Sequence, residues 1–419
     1  MLDSATPGRA AGQQFGERTH SVERAWLHGL AAADELGLAA RHTPVPETEP
    51  DAWRCVLRRH GTPARLGEGH GKGAEGPARV GALFAALAHH LSGDVPDWPG
   101  TRLRQAHALP IGEPARDQAV ARLRDEPDAP LLCLPYRSLT GVDLLDLPVF
   151  LATPDYLDLA APARAALGDQ HGYRTVRRYA SPVGWAAGCT PEEATVHALT
   201  QVVERDAAAR VLTERLGPAG AAPLRVLEPR SLPCPLSALL RGAEERLGQR
   251  VALLEITAET GIPAYWAWTP SPPGAPDRLR GLGASLSPYL AVERALHELI
   301  ASQAVLVARP PAARRPGPVR CPRFDLAPAL RVARHVPFLD AEAPATPEAH
   351  LAALLGRLGQ AGLTAWSWAR YTSPHLSVIH VAVPGARRLP AADDGQADQA
   401  DRADLAGTPG QVRLDATSG

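Results

Sequence analysis

Residues 179–213 read YASPVGWAAGCTPEEATVHALTQVVERDAAARVLT, and this stretch decides the fold that the sequence predicts. Its first half is rich in small residues, which predicts a loop whose backbone amides approach a ligand closely. Strong helix-start signals follow, with Thr190 suited to the N-cap, Pro191 to the first helical position and Glu193 to a capping box. The stretch therefore predicts a loop that leads into a long helix.

The predicted helix carries one narrow polar stripe. At about 100° per residue, the side chains of Glu193, His197, Gln201 and Glu204 fall on one side of it. Carboxylates that follow a glycine-rich loop suit a magnesium–nucleotide site, because the metal takes oxygen ligands and phosphates take N–H donors. Equally, Glu193 can serve as a capping residue alone, and Glu204 and Arg205 as ordinary surface charges. The pattern by itself leaves both interpretations open.

The same stretch resembles the hallmark loop and helix of the YcaO family. The family pattern is roughly S-N-x-G-x-A-x-G-x-T-x-x-E-A, followed by a glutamate three residues before E-R-D. The positions of this chain that match include Ser181, Gly184, Gly188, Thr190, Glu193, Ala194, Glu204, Arg205 and Asp206. The resemblance covers about residues 17–385, and we expect a YcaO-like domain there with disordered ends at 1–16 and 386–419.

Composition narrows the class of protein. The chain has 419 residues and a formal net charge of −1, which argues against a nucleic-acid or membrane-surface partner. No run of 18 apolar residues occurs, and the polar N-terminus is not typical of a signal peptide, so we expect a cytoplasmic protein. The five cysteines are scattered without a C-x-x-C pair, which argues against a zinc site or a disulfide framework.

Lys72 is the only lysine of the chain and stands in the sequence Gly71-Lys72-Gly73. Its survival in an arginine-rich composition favours a role, and a compact ammonium group suits a phosphate. In the YcaO family such a loop precedes a helix resembling A-L-x-E-A-x-E-R, whose two glutamates contribute to magnesium binding. Here those acidic positions are Ala85 and Ala88.

The arginine of that helix pattern is replaced by His89, which His90 follows. Adjacent helical residues point in different directions, so we expect two solvated histidines, with a substitute metal ligand as the alternative.

A second loop-and-helix motif follows at residues 281–298. Gly281 and Gly283, then Arg294 and Glu298, resemble the family's G-x-G and A-x-x-R-A-L-x-E, whose arginine and glutamate lie in the nucleotide site. The alternative is an i,i+4 surface ion pair between Arg294 and Glu298.

Periodicity and turn residues predict the other elements. We expect helices over about 17–38, 77–91, 236–248 and 351–359, a hairpin of strands 251–257 and 262–268, and further strands at 130–136, 143–151, 365–370 and 376–383.

The resemblance implies a mixed α/β (α+β) fold of largely antiparallel sheets packed with helices, with an ATP site between glycine-rich loops and helices. The implied cofactors are ATP and Mg2+. The implied ATP-binding residues are Lys72, Ser181, Gly184, Gly188, Arg205 and Arg294, and the implied metal ligands are Glu193, Gln201, Glu204 and Glu298. Gln201 replaces a family glutamate, while Pro182 and Cys189 replace asparagines; no catalytic residue is assigned.

The implied reaction is ATP-dependent activation of a backbone amide in a ribosomally made peptide, leading to an azoline or to a thioamide or amidine. Two hypotheses remain open: an active enzyme with a reduced metal set, and a catalytically silent YcaO-like scaffold that binds the peptide or an active paralogue. The expected partners are the precursor peptide and a separate peptide-recognition protein, with a homodimer left open.

Overall fold

The computed structural model describes residues 16–45, 52–93, 98–109, 117–216, 222–269, 280–308 and 326–388. The predicted disordered ends lie almost wholly outside these ranges.

Helices and strands alternate along the described chain. The helices are α1 (Val22–Glu35), α2 (Glu75–Gly93), α3 (Gln118–Arg124), α4 (Asp155–Asp158), α5 (Ala161–Ala166), α6 (Pro191–Leu216), α7 (Cys234–Leu247), α8 (Pro288–Ala308), α9 (Ala327–Leu330) and α10 (Pro347–Gln360). The strands are β1 (Leu38–Pro44), β2 (Ala52–Arg59), β3 (Arg65–Lys72), β4 (Arg102–Gln105), β5 (Pro130–Ser138), β6 (Leu144–Pro148), β7 (Trp185–Gly188), β8 (Arg225–Leu227), β9 (Ala252–Glu255), β10 (Ala264–Trp268), β11 (Arg280–Ala284), β12 (Arg334–Val336), β13 (Trp366–Thr372) and β14 (Ser377–Ala382).

Within the described residues the strands form three sheets. One has the order β1-β2-β3, one the order β11-β10-β9-β8-β12, and one the order β4-β5-β13-β14-β7 with β6 paired to β5. The pairs are antiparallel except β8 with β12. The predicted fold class is therefore correct.

Helix α6 lies between the six-stranded and the five-stranded sheet, because it packs against β14 and β7 on one side and β11 and β10 on the other. Strand β7 contributes side chains to two apolar cores. Ala186 belongs to the core around α6, and Ala187 belongs to the core that contains α2. Side chains alternate across a strand, so each sheet face meets its own helix layer.

Two predictions about local structure need correction. Residues 185–188 form strand β7, with all four residues buried, and not the predicted loop. Residues 280–284 form strand β11. In both places small residues permit a helix to lie close against a strand. The same small residues are typical of ligand-binding loops, and the sequence analysis therefore predicted loops here. Seven short elements were not predicted at all, namely the strands β4, β8 and β12 and the helices α3, α4, α5 and α9.

At the start of α6 the predicted N-cap is present, whereas the predicted capping box is not. The Thr190 hydroxyl accepts a hydrogen bond from the backbone N–H of Glu193 at 3.2 Å, as an N-cap residue does. The carboxylate of Glu193 does not close the capping box, because it binds residues of the N-terminal segment instead.

Candidate nucleotide and metal site

Charged side chains of β3, α6 and α8 meet beside the middle of α6, and the N-terminal segment binds α8 and the first turn of α6. Lys72, the last residue of β3, donates to Glu298 of α8 across 2.8 Å. The guanidinium Nη2 of Arg205 lies 3.4 Å from the other oxygen of Glu298, and its Nε lies 3.8 Å from Glu204. Lys72, Arg205, Glu204 and Glu298 thus form one connected ion cluster, although they come from three separate elements.

Glu204 and Glu298 place two carboxylates in a poorly solvated position. Glu204 is 8% exposed. Burial and the neighbouring carboxylate of Glu298 raise the pKa of Glu204 to about 7, although Arg205, Lys72 and Arg294 oppose the shift. A pair of repelling carboxylates beside cations favours the binding of a divalent metal ion, because the added charge relieves the repulsion.

Glu193 lies near this cluster at the N-terminal end of α6 and is 3% exposed. Its Oε1 accepts from the Arg18 guanidinium at 2.7 Å, and its Oε2 lies 3.4 Å from the backbone nitrogen of Thr19. Glu193 raises the pKa of Arg18 against the opposing effect of burial. The interpretation of Glu193 as a capping residue alone is therefore wrong.

Arg294 of α8 is held by the same N-terminal segment. It donates to the carboxylate of Glu17 and, through Nη1, to the carbonyl oxygen of Ala284 at 3.1 Å. Ser285 also donates to Glu17. Burial raises the pKa of Glu17, but Arg294 and the hydrogen bond from Ser285 outweigh it and hold the pKa below its usual value. The predicted alternative of an ion pair between Arg294 and Glu298 is incorrect.

Glu17 and Arg18 were missed by the sequence analysis. No motif or periodicity marks them, and their only signal is that an anion and a cation stand together just before a helix start. Their partners lie 277 and 175 residues away, a separation that no local pattern reveals.

His197 completes the polar stripe of α6. Its Nδ1 is sealed from solvent and has no hydrogen-bond partner among the described residues. Burial, with the positive charges of Arg18, Arg294 and Lys72, holds the pKa of His197 well below its usual value, so the ring is neutral.

The glycines and the serine of the hallmark stretch have packing roles. Gly184 has a φ of 98°, and a β-carbon there would overlap the carbonyl oxygen of Val381 in β14. A β-carbon at Gly188 would lie 2.6 Å from the backbone nitrogen of Ala194 in α6. The Ser181 hydroxyl accepts from the backbone N–H of Val183 at 3.3 Å. Nucleotide contacts of these three residues remain a prediction.

A cavity of about 230 Å³ adjoins the ion cluster through Arg205. Its lining includes Ser181, Val202, Arg387 and Arg388. Arg388 is paired with Asp117, and the backbone N–H of Arg387 donates to Asp206.

Three predicted features take no part in the ion cluster. Gln201 lies one turn before Glu204 in α6 and is half-buried, but its side chain forms no hydrogen bond with another described residue. Ala88 is 9% exposed and belongs to an apolar core, while Ala85 is half-buried. His89 and His90 bind backbone groups of β3 at 3.1 Å each, which supports neither a metal ligand nor two fully solvated rings.

The residues present fit ATP with Mg2+. Lys72, Arg205 and Arg294 supply donors for phosphates, and the carboxylates of Glu204 and Glu298 supply hard oxygen ligands. Mg2+ is usually held by one or two carboxylates together with substrate phosphates and waters, so two carboxylates suffice. Among the described residues, no group of three or more His, Cys, Asp or Glu side chains is arranged to hold a metal by itself.

A family model described as YcaO cyclodehydratase, ATP- and Mg2+-binding, matches residues 84–387. The chain belongs to the YcaO family. The predicted family, fold class and cofactors are thereby confirmed, with ATP and Mg2+ as the cofactors of the family.

One curated relative is an uncharacterized protein in the tfuA 3' region of Rhizobium leguminosarum bv. trifolii. It is 32% identical over 148 residues, which cover 33% of this chain and 34% of the relative. The match thus spans about a third of the length of that protein.

Solved YcaO-type structures share the fold. The YcaO protein of Methanopyrus kandleri bound with AMPPCP and Mg2+ has a TM-score of 0.60 at 21% identity, covering 90% of this chain and 96% of that one. A heterocyclase in complex with substrate and cofactor also has a TM-score of 0.60, at 19% identity, covering 90% of this chain and 54% of the other. The E. coli microcin synthetase McbBCD complex with pro-MccB17 bound gives 0.52 at 10% identity, over 83% and 86% of the two chains.

Two other predictions concern cysteines and membranes. Cys55, Cys133 and Cys189 are buried as predicted, whereas Cys234 is exposed and Cys321 lies outside the described residues. Within the described part of the chain, no helix has the length and apolar character needed to cross a membrane.

Proposed function

We propose that this YcaO protein uses ATP and Mg2+ to activate a backbone amide of a ribosomally made precursor peptide, forming an azoline or a related thioamide or amidine. The observation that supports this most is the cluster of Lys72, Arg205, Glu204 and Glu298, in which phosphate donors and a repelling carboxylate pair share one site. A separate peptide-recognition protein is part of the proposal, as is a cytoplasmic location.

Each residue of the cluster has a proposed role. Lys72, Arg205 and Arg294 bind and orient the phosphates, and their charge offsets the charge that develops during phosphoryl transfer. Glu204 and Glu298 hold Mg2+, with Glu193 as a further ligand once Arg18 releases it. Bound ATP supplies the phosphoryl group that makes the amide oxygen a leaving group. The protein contributes mainly by positioning the reactants.

The cavity beside Arg205 is the proposed place for the peptide. It shares Arg205 with the ion cluster, and its lining combines apolar side chains such as Val202 and Val381 with Arg387 and Arg388. A peptide held there brings its amide near phosphates bound by Arg205. Ser181, Gly184 and Gly188 then shape the wall between nucleotide and peptide.

A second candidate function is a scaffold without catalysis. It is favoured by the absence of acidic side chains at Ala85 and Ala88, where the resembling family pattern has two glutamates, and by the place of Ala88 in an apolar core. Such a protein binds the peptide or an active paralogue without using ATP.

Calorimetric titration of the purified protein with AMPPCP, with and without Mg2+, distinguishes the two functions. The test variant combines Glu204→Gln with Arg294→Ala. A matched control combines Arg225→Ala with Glu255→Gln, because these residues form an ion pair away from the site, 2.9 Å apart on the five-stranded sheet.

For an ATP-using enzyme we expect Mg2+-dependent binding in roughly the micromolar range, lost in the test variant and kept in the control. No binding by the folded wild-type protein or by variants of Glu17 and Arg18, which contact Arg294 and Glu193, would contradict the enzyme and support the scaffold. With a candidate peptide, loss of water by mass spectrometry would indicate an azoline, and replacement of oxygen by sulfur a thioamide.

A further inference from the structure

The N-terminal segment, residues 16–19, lies across the proposed nucleotide site. Glu17 is 4% exposed and binds Arg294 and Ser285, while Arg18 binds Glu193 across 2.7 Å. Two consecutive side chains of the segment therefore bind two of the proposed site residues, Arg294 on α8 and Glu193 on α6.

The charges of the segment imitate those of a nucleotide with its metal. Glu17 brings an anion to Arg294, where a phosphate is proposed to bind. Arg18 brings a cation to Glu193, where Mg2+ is proposed to bind. Arg294 is already engaged by Glu17 and by the carbonyl oxygen of Ala284, so a phosphate has to compete with Glu17 for this guanidinium.

The segment is held by specific contacts at both ends. Gly16 has a φ of 67°, and a β-carbon there would overlap backbone atoms of Pro344 and Ala345. The Thr19 hydroxyl lies 3.3 Å from that of Thr190, the N-cap residue of α6. Ser21 then caps α1. Because both ends are anchored, Glu17 and Arg18 are presented to the site in a defined position.

We propose that residues 17–19 form an autoinhibitory strap, which has to leave the site before ATP with Mg2+ binds productively. The inference rests on the proposed function, since it assigns a regulatory role at the same site. With a strap of this kind, the apparent Kd for nucleotide equals the intrinsic Kd divided by the fraction of molecules in which the strap is released. It also keeps the buried charges of Glu193 and Arg294 neutralised while no nucleotide is bound.

Two variants loosen the strap from different ends. Glu17→Gln removes the anion on Arg294, and Arg18→Gln removes the cation on Glu193. Glu23→Gln and Arg24→Gln are matched controls, because these exposed residues lie in the first turn of α1. Titration with AMPPCP and Mg2+ should show a Kd lowered roughly tenfold in each strap variant and unchanged in each control.

Hydrogen exchange provides a second measurement that does not depend on the variants. If nucleotide displaces the strap, AMPPCP with Mg2+ should speed amide exchange at residues 17–19 while it slows exchange at the start of α6. If Glu17 and Arg18 instead help to bind nucleotide, both regions become slower.

The outcomes separate this inference from the proposed function. Wild-type binding with weaker binding by the strap variants, or with slowed exchange at residues 17–19, overturns the strap and leaves the nucleotide site intact. Binding by the variants but not by the wild type supports the strap in its strongest form. Absence of binding by the wild type and by both folded variants overturns the strap together with the enzyme.

Discussion

Two strand–helix units of this protein are built alike and differ in charge. In the first, β3 is followed by α2; in the second, β11 is followed by α8. Each strand is the edge of its sheet, and each is packed against the helix that follows it. Glycines face the helix in both: Gly67, Gly69 and Gly71 face α2, and Gly281 and Gly283 face α8.

The close packing leaves no room for side chains at these glycines. A β-carbon at Gly71 would overlap the carbonyl oxygen of Ala78, and one at Gly283 would overlap that of Ala291. Backbone meets backbone in both units, so the helices are placed with little freedom. The two units meet where Lys72 at the end of β3 binds Glu298 of α8.

The difference lies in what each helix adds to the site. Helix α8 contributes Arg294 and Glu298, whereas the two positions of α2 at which the resembling family pattern has glutamates are Ala85 and Ala88. Packing and charge are therefore separate properties of these two units. Helix α2 packs against its strand as closely as α8 does, but it supplies no charged side chain at these positions. Its remaining contribution to the site is indirect, through the position of Lys72.

The glycine contacts carry the largest expected effect. Gly71→Val and Gly283→Val each force a branched side chain into backbone atoms, and we expect each to lower the free energy of unfolding by more than about 3 kcal/mol. Urea titration followed by circular dichroism measures this.

Gly242→Ala is the matched control for both glycine variants. Gly242 lies inside α7 with no atom near its missing β-carbon, so alanine should stabilise by roughly 0.5–1 kcal/mol. Equal stability of the wild type and either valine variant would show that the units are not closely packed.

The alanines of α2 provide the next test. Ala88→Glu buries a carboxylate in an apolar core and should destabilise by roughly 2–4 kcal/mol. Ala85→Glu, at a half-buried position, should stay within about 1 kcal/mol of the wild type. Thermal and urea unfolding compare them, with glutamine at each position separating volume from charge. A stable Ala88→Glu protein would contradict the view that α2 lost its acids in favour of packing.

Local patterns predicted those helices and strands in which apolar residues recur with a regular spacing. The amphipathic spacing of Val22, Trp26 and Leu30 predicted α1, and alternating apolar residues predicted the hairpin of β9 and β10. Strands β7 and β11 were predicted as loops, because glycine is ambiguous: it marks a turn in one setting and close helix packing in another. Strands β8 and β12, three residues each, are too short to show a period.

The sequence named the members of the ion cluster as site residues, but it did not reveal which of them pair with each other. Motif matches brought Lys72, Arg205 and Glu298 together as site residues, and the structure joins all three. Their contacts span 226 and 93 residues of sequence, so only the packed fold shows which charge meets which. Glu17 and Arg18 lie outside every motif and became visible only through their buried partners.

Glu204 gives the smallest expected effect and a sign that can be checked. Its folded pKa of about 7 exceeds the ordinary 4.5, so the folded protein holds a proton that the unfolded chain releases. Its contribution to stability is present below pH 4.5 and is lost as pH rises to about 7. Glu204→Gln should therefore be more stable than the wild type at pH 8, by roughly 1–3 kcal/mol, and similar at pH 4.5.

The control for Glu204→Gln is Glu214→Gln, at an exposed position on the same helix. It removes the same formal charge without relieving burial, so its stability difference from the wild type should be the same at both pH values. Urea titration at pH 4.5 and pH 8 measures all three proteins.

A Glu204→Gln protein that gains no stability at high pH would show that Glu204 and Glu298 do not repel each other, which removes the main argument for a divalent ion between α6 and α8. A gain that disappears when Mg2+ and AMPPCP are added would show that the bound ion relieves the same repulsion as the glutamine, because it stabilises only the wild-type carboxylate pair.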